Sequence, residues 1–222
     1  MKRALPLIVI AAVLVAALTA AWILLRSART SQSSTNSTGS ETPGAEPPHI
    51  RGNPNAPVTL EEFGDFECPT CGMYAVELKK IEAEFGDRLR VVFREHPLYP
   101  TPHKHALVAA QAAEAAGLQN RFWEMHDKLY ENQKAWSDAA DVMPIFLDYA
   151  KQIGLDTDRF GRDLDGKVVD ARITQDGIRG HARGVTSTPS FFVNGKEAKD
   201  PSAWSPEGLR KMINQALNPD GK

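Results

Sequence analysis

Cysteine is nearly absent. The 222 residues hold two, Cys68 and Cys71, and both fall in the single run Cys68-Pro69-Thr70-Cys71. A structural disulfide stabilises mainly by closing a long loop of the unfolded chain, and a bridge across two intervening residues closes almost none, so the pair is poorly suited to stapling the fold. Structural zinc needs four ligands, usually from a second Cys pair or a His pair, and no second Cys pair exists. A c-type haem attachment needs His directly after the second Cys, where Gly72 stands. His103 and His105, spaced by one residue, lack the further Cys, His or carboxylate neighbours of a metal site and fit helix capping and the surface better. Neither a metal nor an organic cofactor is therefore expected.

Positive charge is also in short supply. The first 50 residues carry four basic and two acidic side chains, so the remainder holds 22 positive against 26 negative groups, a net of −4. A nucleic-acid partner, which needs a basic face for its phosphates, is not expected. With 42% hydrophobic and 24% charged residues the chain is not broadly disordered, and it shows no internal repeat.

Long apolar runs are confined to one place. After Met1-Lys2-Arg3 the chain is uncharged from Ala4 to Leu25, about 22 residues, which at about 1.5 Å each spans a bilayer core of about 30 Å. A cleaved signal has a shorter apolar stretch, and here Trp22-Ile23-Leu24-Leu25 continue past Thr19-Ala20-Ala21, the only small-residue cleavage site, which favours an uncleaved anchor over residues 1–26. Lys2 and Arg3 against Arg26 and Arg29 give a narrow bias that points the C-terminal part outward. No Cys follows the run, so a lipid-attached form has no attachment residue. Residues 27–50, rich in Ser, Thr, Gly and Pro, bury too little to offset ordering entropy and read as a flexible linker. Residues 51–222 are the expected folded domain.

Within that domain Val58–Phe63 and Leu89–Phe93 read as strands. Between them Cys71, Tyr74, Leu78, Ile81 and Phe85 recur on one helical face, with Pro69 suited to the first helical position, Cys68 at the N-cap and Gly86 at the C-cap. From about 105 to 183 the pattern is helical throughout, beginning with an Ala-rich segment. A short strand Ser190–Val193, the turn pair Asn194-Gly195 and a last helix opened by Ser205-Pro206-Glu207 follow. The fold class expected is α/β with a helical insertion.

Disulfide exchange needs a thiolate that attacks or leaves near ambient pH and a second thiol close enough to resolve the mixed disulfide. At the N-cap the Cys68 sulfur faces free N–H groups and the positive end of the helix, which lowers its pKa, whereas Cys71 sits one turn in and should be buried. Glu67 opposes this if its carboxylate turns toward the sulfur. Glu62 precedes Cys68 by six residues on the apolar face of its strand, with Val58 and Leu60, and Arg94 is a candidate counter-charge for it.

Phe66-Glu67-Cys68-Pro69-Thr70-Cys71, joined to the distal Thr188-Pro189-Ser190-Phe191-Phe192-Val193-Asn194-Gly195, resembles the DsbA-like branch of the thioredoxin superfamily. His96-Pro97-Leu98, His103 before the Ala-rich helix, Phe122-Trp123 and Gly154-Leu155-Asp156 with Phe160 extend the resemblance over residues of about 51–217. It implies a thioredoxin-like fold with a helical insertion, preceded here by the N-terminal transmembrane helix. It implies further that Pro189 is a cis-proline opposite the Cys pair and that the Thr188 backbone pairs with a bound polypeptide. Glu62 becomes a buried acid exchanging a proton with Cys71. Pro69, Thr70 and Glu67 tune the redox pair, and Thr70, standing where a strong oxidant of the family carries His, implies a milder one. The implied enzyme is an extracytoplasmic thiol:disulfide oxidoreductase. It would form disulfides in exported, cysteine-containing polypeptides and pass electrons to a membrane, quinone-linked oxidant. The implied location is the cytoplasmic (inner) membrane, spanned once by residues 4–25, with the domain on the periplasmic side. A monomer is expected, because residues 27–50 are too polar for a dimerisation module. Two alternatives stay open: a reductase or isomerase using the same site and fed by a membrane electron donor, and a peptide-binding or chaperone module without redox chemistry.

Overall fold

The computed structural model describes residues 42–200 and 202–219. The apolar segment and residues 27–41 of the expected linker lie outside the described residues, among which no helix is long and apolar enough to cross a membrane.

The frame is a strand–helix–strand unit. Strand β2 (Val58–Gly64) leads through α1 (Pro69–Phe85) and a 3-10 turn (Gly86–Arg88) to β3 (Leu89–Glu95), which pairs parallel to it from Val58 against Leu89 to Gly64 against Glu95. Parallel strands need such a crossover. Helix α1 begins as its sequence dictates, with Pro69 inside the first turn where its missing N–H costs nothing. It ends at Gly86, whose φ of +52° is left-handed backbone that favours glycine. The anticipated stripe Cys71, Tyr74, Leu78, Ile81 and Phe85 is buried. Strands β1 (His49–Gly52), β4 (Ser190–Val193) and β5 (Lys196–Glu197) complete a five-stranded sheet in the order β1-β3-β2-β4-β5. β4 and β5 are joined at Asn194-Gly195, both at positive φ as the tight turn demands.

The insertion comprises α2 (Ala106–Gly117), α3 (Phe122–Glu131), α4 (Gln133–Ser137), α5 (Met143–Gln152), α6 (Thr157–Asp163) and α7 (Lys167–Ala182). The last helix is α8 (Pro206–Leu217), capped by the Ser205 hydroxyl, which accepts from the Gly208 N–H. A thioredoxin-like sheet interrupted by helices is therefore what the chain forms. Helix α4 is less than two turns long, too short to leave a periodic signature in the sequence.

Strand periodicity gives β2 two faces. Val58 and Leu60 pack with Val91, Phe191, Leu209 and Ile213 under α1 and α8. On the opposite face Glu61 accepts from Arg94 Nε at 2.9 Å and from Arg179 Nε at 2.8 Å. Burial raises the Glu61 carboxyl, but Arg179 and Arg94 outweigh it and hold the group below its usual range. Arg94 therefore serves Glu61 and Asp176 and is not the counter-charge of Glu62, because adjacent residues of a strand point to opposite faces.

This ionic cluster also corrects the N-terminal boundary of the domain. The Ala45 N–H donates to Asp176 Oδ1 at 2.7 Å, Arg94 Nη1 donates to the Ala45 carbonyl at 2.8 Å, and Arg179 Nη1 donates to the Thr42 carbonyl at 2.8 Å. Residues 42–50 are thus fastened to the domain, with Ala45 buried and β1 opening at His49, although their composition reads as linker. Backbone carbonyls and one amide make these bonds, and any sequence carries such groups; the His49 side chain adds to them, stacked on Phe122 with ring centroids 3.5 Å apart and with Nε2 3.0 Å from Glu114 Oε2.

Gly64 marks the tightest approach in the sheet. A Cβ there would lie 2.5 Å from Phe93 Cε2 and 3.1 Å from the Tyr130 hydroxyl. Gly64→Ala should cost about 1–3 kcal/mol by overpacking, read as a lower urea midpoint at unchanged slope; a midpoint equal to that of the parent would contradict the close approach.

Candidate redox active site

The N-terminus of α1 and the loop before β4 meet at the two sulfurs. Cys68 is the N-cap, with extended backbone (φ −71°, ψ 119°), and Pro69 follows at the first helical position. Cys68 retains 6% of its surface and Cys71 none, and both are free thiols. The Cys68 Sγ lies 3.4 Å from the Thr188 carbonyl oxygen, across 120 residues of sequence. The Thr188-Pro189 peptide is cis.

These surroundings separate the two thiols. A hydrogen bond from the Cys71 thiol is the largest influence on Cys68. Partial burial opposes it, while the Cys71 amide, the Thr188 side chain and the Thr70 amide add to it, and together they bring the Cys68 pKa down to about 5. Cys71 goes the other way, well above the usual thiol range, through burial, its bond to Cys68 and the nearby Glu62 carboxyl. Thr70 acts here through its backbone amide, and Pro69 acts by fixing the turn that aims the amides at the sulfur. The helix end contributes as the sequence implies, but the leading donor is the partner thiol.

Glu62 is 2% exposed, and burial, reinforced by Glu82 and Cys68 against Arg51, pushes its pKa up to about 8. It therefore carries a proton at neutral pH close to Cys71. Glu67 does not face the sulfur. Its Oε2 accepts from the His105 N–H at the start of α2, so its charge is spent on joining two loops.

Three supporting residues escape sequence reading. Gln133, the first residue of α4, donates from Nε2 to the Phe66 and Cys68 carbonyls at 2.7 and 2.8 Å and fixes the backbone on either side of Glu67. Asp65 accepts from the Glu67 N–H at 2.7 Å through one oxygen. Through the other it accepts from the Leu98 N–H at 2.8 Å and lies 2.7 Å from His103 Nδ1. An Asp two residues before an amide it can cap is a recognisable turn signal. Gln133 leaves no comparable trace. Tyr130 packs its ring 4.9 Å from Phe66. Among the described residues no cluster of three or more Cys, His, Asp or Glu side chains is placed to hold a metal ion.

With its pKa near 5, Cys68 should be alkylated by iodoacetamide at a nearly constant rate from about pH 6.5 to 9, the rate falling on acidification with a midpoint near 5, while Cys71 reacts much more slowly. A midpoint in the ordinary thiol range, or equal rates at the two sulfurs, would contradict the geometry.

The family model described as thioredoxin matches residues 45–215. The chain is similar to a thioredoxin-like oxidoreductase from Silicibacter pomeroyi, at 27% identity and TM-score 0.63, covering 77% of this chain and 92% of that one. It is also similar to oxidised BdbD from Bacillus subtilis, at 25% identity and TM-score 0.69, covering 82% and 99%. Among curated proteins it is 43% identical over 170 residues to the Na(+)/H(+) antiporter NhaA 1 of Salinispora arenicola, a match covering 76% of this chain and 24% of that protein. The chain spans about a quarter of the length of the curated relatives it matches, so the transport in that name belongs to much longer proteins. The fold and the family match converge: the chain belongs to the thioredoxin family.

Proposed function

We propose that the enzyme is an extracytoplasmic oxidase that forms disulfides in exported polypeptides through Cys68 and Cys71, held at the cytoplasmic membrane by residues 4–25 and re-oxidised by a membrane, quinone-linked partner. The observation that carries this reading is the low pKa of Cys68, because a stabilised thiolate is a good leaving group and favours the reduced enzyme. The compartment agrees with it, since disulfides persist outside the cytoplasm.

In the oxidised enzyme a substrate thiolate attacks the Cys68 sulfur. The Cys68–Cys71 bond breaks, and Cys71 leaves as a thiolate that takes the proton of Glu62. The second substrate thiolate then attacks the substrate sulfur of the mixed disulfide, a substrate disulfide forms, and Cys68 departs as a thiolate held by Cys71, the helix amides and Thr188. Two electrons pass from the substrate to the cysteine pair. Thr188 and Pro189, beside the Cys68 sulfur, are the proposed seat of the substrate backbone.

The direction of flow follows from proton linkage. A thiol whose folded pKa is depressed from about 9 to about 5 stabilises the reduced protein fully above the unfolded value, and the gain is lost as pH falls through the folded one. The oxidised protein has no such group. Urea denaturation of both forms should therefore show the reduced form gaining relative stability from about pH 5 to 9. Thr70→His, which adds a donor or cation near the sulfur, should lower the Cys68 pKa further and make the potential more oxidising, at about 1.4 kcal/mol per pKa unit before screening. An oxidised form that is the more stable at every pH would assign the enzyme to a reductase.

A further inference from the structure

A side-chain amide of the helical insertion bonds directly to the backbone of the redox pair. Gln133, the first residue of α4, donates from Nε2 to the Phe66 carbonyl at 2.7 Å and to the Cys68 carbonyl at 2.8 Å. Only the NH2 side of an amide can serve two carbonyls, so the partners fix its orientation and both its protons are committed to the backbone around Cys68. The Cys68 carbonyl is also the first acceptor of α1, taking the Gly72 N–H at 3.1 Å. Gln133 thus fills the second lone pair of the peptide group that joins Cys68 to its helix.

That peptide group governs where the sulfur stands. Cys68 is extended, with φ −71° and ψ 119°, and the helix opens at Pro69. The Thr70 and Cys71 amides reach the Cys68 sulfur in this arrangement. A turn about the Cys68 Cα–C bond would carry the start of α1, and those free amides with it, away from Sγ. Asp65 holds the same stretch by its N–H groups, its carbonyl taking the Cys68 N–H at 3.1 Å and its Oδ1 the Glu67 N–H at 2.7 Å. Gln133 holds it by the carbonyls.

Gly72 is the complementary feature. Glycine is a poorer helix former than alanine. A Cβ at this position, however, would lie 2.8 Å from Gln133 Oε1 and 3.3 Å from its Nε2. The missing side chain leaves the space in which the Gln133 amide sits.

We propose that Gln133 is a positioning residue of the redox centre, seated against Gly72, which holds the Phe66 and Cys68 carbonyls so that the Cys68 sulfur stays on the first amides of α1. The inference rests on the reading of Cys68 and Cys71 as the redox pair. It makes the seat of α4, a part of the insertion, one of the determinants of how oxidising that pair is.

The test is the pH profile of Cys68 alkylation in the full chain, read with the equilibrium constant of the pair against glutathione at pH 7 and with the urea midpoint. Gln133→Met has similar length and no donor. Gly72→Ala displaces the amide while favouring the helix. Each should raise the alkylation midpoint by about one pH unit, the order of effect of a weakened hydrogen bond to a thiolate. Each should also shift the glutathione equilibrium about tenfold toward the oxidised enzyme, about 30 mV. Neither variant changes a charge, so Cys71 and Glu62, the titratable groups facing Cys68, are those of the parent. Asn132→Ala removes a neighbouring bond internal to the insertion, from Asn132 Nδ2 to the Lys128 carbonyl at 2.9 Å, and should lower the urea midpoint with both redox readings unmoved. A purely structural Gln133 would behave in the same way. Gly72→Ala decides the matter if Gln133→Met does not fold. Parent values of midpoint and equilibrium in either folded variant, or an equal shift in Asn132→Ala, overturn the positioning role. A parent whose Cys68 titrates in the ordinary thiol range overturns the redox reading instead.

Discussion

The parallel register of β2 on β3 is the constraint from which the working parts of this molecule take their places. Seven pairs, from Val58 on Leu89 to Gly64 on Glu95, fix which side chains share a face. Glu62 falls on the side of α1 and Cys71, and Glu61 on the side of Arg94 and Arg179. A slip of one residue would exchange them, placing a carboxyl that needs burial among guanidinium groups and one that needs guanidinium groups in an apolar core. Both environments would then be wrong at once, so the two carboxyls enforce the register that positions them.

The asymmetry of the thiols grows out of the same frame. Helix α1 starts where β2 stops, and its first amides are free because helices leave them so. Cys68 sits at those amides and at the Thr188 carbonyl, while Cys71 is carried one turn down into the core beside a protonated acid. The gap between one low and one high pKa comes from 3 residues of helix and one loop. No residue outside ordinary protein chemistry is needed.

Much of this was legible in the sequence. The Cys pair, the cap, the stripe of α1, the helical insertion, the place of Pro189 and the apolar-side position of Glu62 all follow from spacing or from the family resemblance. What was not legible depends on partners far away in the chain. Arg94 was a plausible counter-charge for Glu62 until strand alternation sent it to Glu61. Glu67 looked like a neighbour of the sulfur until its carboxylate was found on the His105 amide. Residues 42–50 have a linker's composition and are held by contacts of their backbone, with the one side chain of His49 stacked on Phe122. Gln133 belongs to a helix too short for periodicity to reveal.

Asp65 has a consequence for how the molecule moves. Its two carboxyl oxygens hold the Glu67 amide on one side and the Leu98 amide and His103 on the other. Glu67 in turn holds the His105 amide, so the segment before the cysteines and the proline-rich stretch from Leu98 to His105 are laced together twice. Neither can open while the other stays closed. In the language of local unfolding the two segments belong to one unit, joined by side-chain carboxylates and not by the sheet.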